Sequence, residues 1–498
     1  MQELVQENNN HQSKNKLNCY QKNIQNMNNS LILPLLSTLN EKDLKPYWNV
    51  QCQELQSKLW LPHKIDLQEV GLGLSNGLSN YMEEKLSQWI KRVKPKNSTQ
   101  QSLSVLLPAS AIPTMGKGQL GGRRKKKIPN NHILGVKKIR IYPKNEDKYK
   151  QALSLYRRAY NLAIAYYRNN SLTNDIRANI SKQIREERNI WNGVYDINIV
   201  QDAIDSAKGT IKKTINQGGK PKFKNRKGSI HSFSHPRLGK KLNPAIQSLG
   251  EIHRTETIPN EAIGQRVTVV FENNRWYLIA QQYIQTKTET QGKVNCVAID
   301  PGVRTFATTY SDSEVIIVGD KFANRTLLPL MKRVDKLISQ KRKLENSKET
   351  DKQWYKDRIK YLDKKIAKLR AKKRDLTQNL HNELAYYLVS NYDVIFLPTF
   401  ETKKMTKKEG RNIRIRTAKE MLNLNHYKFK LKLKWYCQKY GKHLVIVNES
   451  YTSKTYSWNG FIDEKLKSKK VIKFHNMLID RDINGARGIL LKQLSKVA

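Results

Sequence analysis

The chain has 498 residues, a length natural for two or three domains, and its 92 lysines and arginines against 43 acidic residues give a formal net charge of +49. A balance this basic indicates a polyanionic partner, namely nucleic acid, bound through contacts that weaken with salt. No run of about 18 apolar residues is present to span a bilayer, so we expect neither a membrane partner nor a signal peptide. The four cysteines are far apart, which excludes a disulfide framework and fits a reducing compartment.

Residues 1–132 form an N-terminal extension. Residues 1–30 are rich in Asn, Gln and Lys, a composition typical of disorder, and residues 31–115 have the apolar content of a small accessory module. A basic linker follows. Its cationic cluster suits a nuclear localisation signal or a phosphate-binding arm, with a merely soluble linker as the alternative. The cluster consists of Arg123, Arg124, Lys125, Lys126 and Lys127.

Residues 133–290 read as a β module that contains a helical insertion. Lys137 to Pro143 alternates like a strand, residues 146–169 have helical spacing, and residues 265–282 read as a hairpin around Asn273-Asn274. The insertion, over about 146–260, includes a basic loop with interleaved aromatic residues. Basic side chains can hold a nucleic-acid backbone while aromatic rings stack on bases. The candidate binding residues in this loop are Lys222, Lys224, Arg226 and Lys227.

Residues 291–498 alternate strands and helices, as in a mixed sheet with helices on its faces, and this half is similar to an RNase H-type α/β core. A long charged helical stretch over about 327–390, split near 348–352, is expected to form a helical hairpin that covers the sheet. The predicted strands are 294–300, 305–310, 314–318, 394–397 and 443–447.

Three acids lie near the ends of these elements. Asp300 ends the first strand and precedes a Pro-Gly break, Glu401 follows the strand 394–397, and Asp482 opens an apolar helix. Carboxylates fixed on a sheet core can hold two Mg²⁺ ions, with Mn²⁺ as the alternative, and cut phosphodiesters.

Asp480 competes with Asp482 for the last of these positions. Asp482 has helical spacing to Ala486 and Ile489 and shares their inward face. Asp480 lies two residues earlier and would point elsewhere, so capping the helix is its expected role.

These residues resemble the RuvC-like nuclease domain of the transposon-encoded TnpB proteins, and most closely their eukaryotic and viral relatives, the Fanzor proteins. Asp300 to Phe306 (Asp-Pro-Gly-Val-Arg-Thr-Phe) matches the first nuclease motif, 449–455 matches the segment before the zinc ribbon, and 480–487 matches the last nuclease motif. Upstream, 139–143 and 156–161 look like the start of the family's nucleic-acid-binding lobes. The resemblance covers about 137–494.

The resemblance implies a multidomain α/β protein with an RNase H-like (RuvC) nuclease core and a β-barrel-like wedge module that carries an inserted helical recognition lobe. Such a protein would bind a guide RNA that pairs with one strand of target double-stranded DNA next to a short flanking motif. One Mg²⁺-dependent site, with Asp300, Glu401 and Asp482 as catalytic metal ligands, would then cut the DNA. The implied location is the nucleus or another reducing compartment of a eukaryotic or viral host.

The same resemblance and the basic residues near its motifs suggest further nucleic-acid contacts. Arg487 is proposed to steady the scissile phosphate, with a solvent-facing helix arginine as the alternative, and Arg304 and Lys454 are open to the same two interpretations. The remaining candidates are Arg140, Tyr142 and Arg157.

The sequence departs from the family pattern at two places. Pro398 stands near the position where most bacterial relatives have the middle glutamate, and Glu401, a few residues later, resembles the displaced Fanzor arrangement. The zinc-ribbon-like loop, about 449–479, has Tyr456 to Asn459 in place of the first cysteine pair and lacks the second pair. Because His475 alone cannot supply about four ligands, no zinc is predicted.

Two other functions remain open. The missing zinc ligands fit an RNA-guided DNA-binding protein whose nuclease has weakened. A DNA transposase would share the RNase H-like core but would bind its element ends without RNA.

Overall fold

The computed structural model describes residues 63–66, 86, 128–169, 176–187, 195–226, 228, 230–236, 238, 248–286, 294–346, 352–407, 409, 413–447, 454–458, 460–463, 471–474 and 477–497. The predictions for residues 1–30, the basic cluster 123–127, Lys227 and His475 lie outside these ranges. The described residues form two compact units, one with residues 294–346 and 372–497 together with 63–66 and 86, the other with residues 128–286 and 352–371.

Thirteen strands and nine α-helices are formed by the described part of the chain. The strands are β1 (His63–Asp66), β2 (His132–Pro143), β3 (Ile230–His235), β4 (Ile252–Arg254), β5 (Val267–Glu272), β6 (Arg275–Gln285), β7 (Cys296–Pro301), β8 (Ala307–Tyr310), β9 (Glu314–Val318), β10 (Val394–Pro398), β11 (His443–Val447), β12 (Val471–Phe474) and β13 (Met477–Asp480). The helices are α1 (Glu146–Asn169), α2 (Arg177–Glu186), α3 (Ile197–Asn216), α4 (Leu328–Glu345), α5 (Gln353–Asn391), α6 (Thr402–Met405), α7 (Ile415–Leu424), α8 (His426–Tyr440) and α9 (Arg481–Val497). None of the described helices is long and apolar enough to cross a membrane.

The unit with residues 294–497 is built on a six-stranded mixed sheet. Its strand order is β1-β9-β8-β7-β10-β11. The pairs from β1 to β7 are antiparallel, whereas β7, β10 and β11 run parallel. The mixed sheet with helices on its faces is therefore confirmed, and each of the five predicted strands is present within two residues of its expected ends.

Side chains of β7 alternate between two hydrophobic cores, as the period of two in a strand requires. Val297 and Ile299 pack into a core with the C-terminal part of α5 and with α8. Cys296 and Ala298 pack on the opposite face, in a core that includes Ile489 and other residues of α9. By the same alternation, Asp300 faces the side of the sheet that α9 covers.

The unit with residues 128–286 has a five-stranded sheet in the order β3-β5-β6-β2-β4. All its pairs are antiparallel, and α1, α2 and α3 are inserted in the chain between β2 and β3. The helices and one sheet face share a single core. The turn of the β5–β6 hairpin is Asn273-Asn274, both with positive φ as a two-residue type I′ turn requires. The hairpin and the helix over 146–169 are confirmed; a barrel-like closure of the sheet remains a prediction.

Candidate functional site

The first and last acidic motifs meet where β7 passes under α9. Asp300 lies at the end of β7, and its carboxylate lies directly against the backbone of Gly485 in α9. A Cβ built on Gly485 would come 2.4 Å from Asp300 Oδ2, closer than atoms pack. Because Gly485 has no side chain, the helix backbone can approach the carboxylate.

The turn after Asp300 is equally tight. Gly302 N–H donates to the Phe306 carbonyl at 3.2 Å, and a Cβ at Gly302 would lie 2.6 Å from the Thr305 carbonyl oxygen. The Pro-Gly break thus returns the chain into β8, which pairs with β7 opposite Asp300 through Thr308.

Asp482 and Asp480 take different positions at the start of α9. Asp480 is buried and its carboxylate accepts the backbone N–H of Asp482 at 2.8 Å, which is an N-cap bond and confirms the capping role. Asp482 is half-buried and lies one turn before Gly485 and Ala486. Residues three apart on a helix have Cβ atoms about 5–6 Å apart, so Asp482 is a neighbour of the place where Asp300 meets the helix.

Glu401 follows β10, the strand next to β7. The β7–β10 register pairs Phe396 with Ala298, and the same register continued by two residues would match Pro398 with Asp300. Glu401 is exposed, three residues beyond Pro398 and immediately before α6. The end of β10 is thus occupied by a proline.

The three acids carry the right chemistry for a metal site but do not converge into one. Carboxylate oxygens are the donors that Mg²⁺ prefers. Within the described ranges, however, no three His, Cys, Asp or Glu side chains come close enough together to hold a metal ion. Asp300 and Asp482 can share one region at α9, but Glu401 does not complete a three-ligand site in this arrangement of the chain.

Helix α9 also binds the loop over 454–458, for which no zinc is predicted from the sequence. Asn484 is fully buried, with its amide donating to the Thr455 carbonyl and its oxygen accepting the Ser457 N–H, both at 2.8 Å. Tyr456 and Trp458 of this loop are buried. The loop is therefore hydrogen-bonded to the helix through Asn484, and its buried side chains are aromatic.

Arg487 also hydrogen-bonds to this loop, and it is not positioned to contact a phosphate. It is only 2% exposed, donates to the Ser457 carbonyl at 2.6 Å, and lies over the Trp458 ring at 4.8 Å. A further bond goes to the Tyr310 hydroxyl at 3.3 Å. Both interpretations of Arg487, as a phosphate ligand and as a solvent-facing residue, are corrected by this position, because its charge is enclosed by protein partners. Arg304 and Lys454 are exposed, as a nucleic-acid contact requires.

Sequence reasoning missed Asn484 and Gly485 as site residues. The signal was present, because Asn and Gly are poor helix formers and yet stand side by side near the start of an apolar helix. Poor helix formers inside a helix at a functional motif indicate that a specific contact requires them. Here Asn484 makes the hydrogen bonds to the loop, and Gly485 lets the Asp300 carboxylate lie against the helix backbone.

The second unit presents a cationic and aromatic face on its sheet. Arg140 lies over the rings of Tyr142 and Tyr277, at 5.0 Å and 5.2 Å, and Lys138 lies over Tyr277 at 4.2 Å. Tyr142 is 50% exposed. Arg140 and Tyr142, both predicted from the sequence, therefore lie together on one face, and Tyr277 and Lys138 extend it.

The basic loop is fixed onto α1 through Lys224. Its backbone N–H and carbonyl pair with the Asn161 side chain at 2.8 Å and 3.1 Å. Its ammonium lies over the rings of Tyr156 and Tyr160, at 4.4 Å and 4.7 Å, and burial lowers the Lys224 pKa to about 8. A lysine held this way anchors the loop, and its predicted contact with nucleic acid stays a prediction.

The anchored loop displays its other basic residues. Lys222 and Arg226 are exposed, and Arg168 lies 4.2 Å over the Phe223 ring. Arg157 is half-buried on α1, and burial together with the neighbouring Arg226 charge lowers its pKa. Two guanidinium groups in one neighbourhood favour a bound anion.

The fold and the Asp300–Gly485 contact define a mixed α/β protein with an RNase H-type sheet and acidic motifs at the end of its central strand. Residues 426–489 match the family model described as "Cas12f1-like, TNB domain". The TnpB-like protein L770 of Acanthamoeba polyphaga mimivirus is 25% identical over 445 residues, covering 82% of this chain and 84% of that protein. Over most of its length the chain is therefore similar to TnpB-like proteins.

Other relatives match over shorter ranges. The putative transposase R186 of the same virus is 32% identical over 202 residues, 40% of each chain. The chain thus spans less than half of the length of the two curated relatives matched above 30% identity. Among solved structures, a chain of the Cas12f1–sgRNA–target DNA complex aligns with a TM-score of 0.40 and 13% identity, covering 72% of this chain and 99% of that chain.

Proposed function

We propose that the chain is an RNA-guided DNA endonuclease with a single RuvC-like site, of the Fanzor kind within the TnpB-type family. The observation that carries this proposal is the contact between Asp300 and Gly485, which joins the first and last nuclease motifs across α9. The net charge of +49 supports a large nucleic-acid partner. The similarity to a TnpB-like protein over most of both chains supports a guided nuclease within that class.

In this proposal, Asp300, Asp482 and Glu401 would hold Mg²⁺, which would supply activation of water and stabilisation of the leaving oxygen. The chain's own contribution is to position the acids. Asp480 caps α9 and fixes its first turn, which carries Asp482. Gly485 lets Asp300 lie against the helix, and Glu401 has to close toward this pair when nucleic acid and metal bind.

Guide RNA and target DNA are proposed to bind the exposed cationic surfaces of both units. The sheet face with Arg140, Tyr142 and Tyr277 offers rings for stacking and charges for phosphates. The basic loop offers Lys222 and Arg226 beside Arg157. We also propose nuclear import through residues 123–127, which is tested by following a fluorescent fusion after these five residues are replaced by alanine.

The deciding experiment is co-expression of the protein with its flanking DNA, sequencing of the RNA that it retains, and cleavage of matched double-stranded DNA with Mg²⁺. Wild type should cut and Asp300→Ala should not, with equal RNA binding. Equal cutting by both proteins would reject the catalytic assignment. A smear of cellular RNA that moderate salt removes would reject guided recognition.

A guided DNA-binding protein with a weakened nuclease is the second candidate. It is favoured by the exposed position of Glu401 and by the absence of a converged three-acid group in the described ranges. Retention of a discrete RNA and of target binding, without cutting by wild type, would identify it. A transposase would instead bind its element ends after RNase treatment.

A further inference from the structure

His426 is a buried, unsatisfied side chain between the two segments that carry Asp300 and Glu401. It is 4% exposed, and neither ring nitrogen makes a well-formed hydrogen bond within the described residues, although the Gly302 backbone is near enough to favour the charged ring slightly. Burial lowers the His426 pKa to about 4, so the ring is neutral near pH 7. A buried imidazole without a well-formed hydrogen bond costs stability, which calls for an explanation.

The ring of His426 contacts both acidic segments at once. It stacks on Phe306, six residues after Asp300, with centroids 4.8 Å apart and planes 13° apart. On its other side it meets Phe400, the residue before Glu401, edge to face at 4.7 Å. All three rings belong to the same compact unit.

A sharp backbone turn places the ring there. Asn425 adopts φ 53°, the left-handed conformation that asparagine tolerates, and it ends α7 and opens α8 in one residue. His426 is therefore the first residue of α8, and Phe429 one turn later meets Phe306 edge to face at 5.2 Å. The start of α8 therefore packs the His426 ring against Phe306, at the end of the turn that follows Asp300.

His381 is a matched counterpart that stacks on the same Phe306 ring. It is also buried, and its centroid lies 5.2 Å from that of Phe306 with planes 23° apart. Its Nε2 bonds with the Leu424 carbonyl at 2.9 Å, and its other ring neighbour is Phe429 at 5.6 Å. His381 thus supports Phe306 as His426 does, while only His426 is packed between Phe306 and Phe400.

We propose that His426 is a positioning residue of the nuclease site, which sets where Glu401 stands relative to Asp300 by packing between Phe400 and Phe306. The inference rests on the proposed function, because it assigns the two acids to one metal site. The ring acts through its shape and stacking and takes no part in proton transfer. A loss of this packing frees the segment before Glu401, so that the position from which Glu401 approaches Asp300 and Asp482 is no longer fixed.

The test compares His426→Ala with His381→Ala in the full-length protein carrying its co-purified RNA. The measurements are Mn²⁺ binding by electron paramagnetic resonance, taken as the difference from Asp300→Ala, and the Mg²⁺ concentration that gives half-maximal cleavage. Mutating residues that orient metal ligands typically costs about 10–100-fold in metal affinity. His426→Ala should therefore need at least about tenfold more metal, whereas His381→Ala should lower thermal stability with a metal requirement near that of wild type.

Two further variants separate positioning from folding. His426→Phe keeps the aromatic contact and should retain the wild-type metal requirement. Phe400 is half-buried, so Phe400→Leu removes the ring contact without leaving a large cavity, and it should reproduce the defect of His426→Ala. Equal metal shifts in His426→Ala and His381→Ala, or a defect in His426→Phe as large as in His426→Ala, would overturn the proposal. A wild type that neither binds Mn²⁺ nor cuts would instead reject the proposed nuclease, which keeps the two failures distinct.

Discussion

The contact between Gly485 and Asp300 predicts that a single methyl group on α9 will disable the site. In Gly485→Ala, the new Cβ would start 2.4 Å from Asp300 Oδ2 and has to reach about 3.4 Å, so the carboxylate or the helix moves by about 1 Å. A displacement of this size at a catalytic group can lower the rate about 100-fold, which corresponds to about 3 kcal/mol of transition-state stabilisation. We expect cleavage to fall by about that factor while RNA binding is unchanged.

The effect of Gly485→Ala on the free energy of unfolding should change sign when Asp300 is replaced. Overpacking costs about 1–3 kcal/mol, and replacing a helical glycine with alanine returns about 1 kcal/mol. Gly485→Ala should therefore be neutral to about 2 kcal/mol destabilising in wild type. In an Asp300→Ala background the clash is gone, and the same change should stabilise the unit by up to about 1 kcal/mol.

Thermal unfolding of the four proteins in this double-mutant cycle measures the reversal directly. The cycle does not depend on cleavage activity. If Gly485→Ala has the same effect on melting temperature in both backgrounds, the carboxylate does not lie against the helix and the reasoning about the site is refuted.

Three further predictions concern α9 and the buried histidines. Asp480→Ala removes the N-cap bond and should cost about 1 kcal/mol in thermal unfolding, with Asp480→Asn as a control that keeps an acceptor. Arg487→Met leaves the Ser457 carbonyl without its donor and should destabilise the unit by about 1–3 kcal/mol, whereas an exposed phosphate contact would change nucleic-acid affinity and leave the melting temperature unchanged. Because burial lowers the pKa of His381 to about 3 and of His426 to about 4, the unfolded chain binds protons more readily than the folded one, and stability should decline as pH falls from about 6.5 toward these values. Each histidine contributes about 1 kcal/mol per pH unit, so urea unfolding of His426→Phe should show a shallower decline than wild type, and parallel curves would contradict this account.

The central sheet was predictable because its strands are short apolar runs that end at strong breakers. The predicted ends of 314–318 and 443–447 agree with β9 and β11, and the helix over 146–169 agrees with α1. The two strands are clear apolar runs and the helix has clear helical spacing, so local pattern and tertiary structure favour the same answer.

The missed features depend on contacts between distant residues. The burial of Arg487 follows from Trp458 and Ser457 in a loop about 30 positions earlier, whereas the residue type alone assigns an arginine to the surface. The anchoring of Lys224 depends on Asn161 and the tyrosines of α1 in the same way. A single sequence shows which residues are basic but does not show which of them the fold encloses.

The way in which the loop Tyr456–Trp458 is held in place affects its sensitivity to oxidants and chelators. Its described attachments are amide hydrogen bonds, an arginine and aromatic rings, and none of its residues carries a thiol. Thiolate ligands of a metal fail under peroxide, which oxidises the sulfur, and under chelators, which take the metal away. A segment fastened by Asn484 and Arg487 keeps its conformation under oxidative stress and metal starvation. Its folding is instead tied to α9, so the segment and the helix that carries Asp482 should melt together.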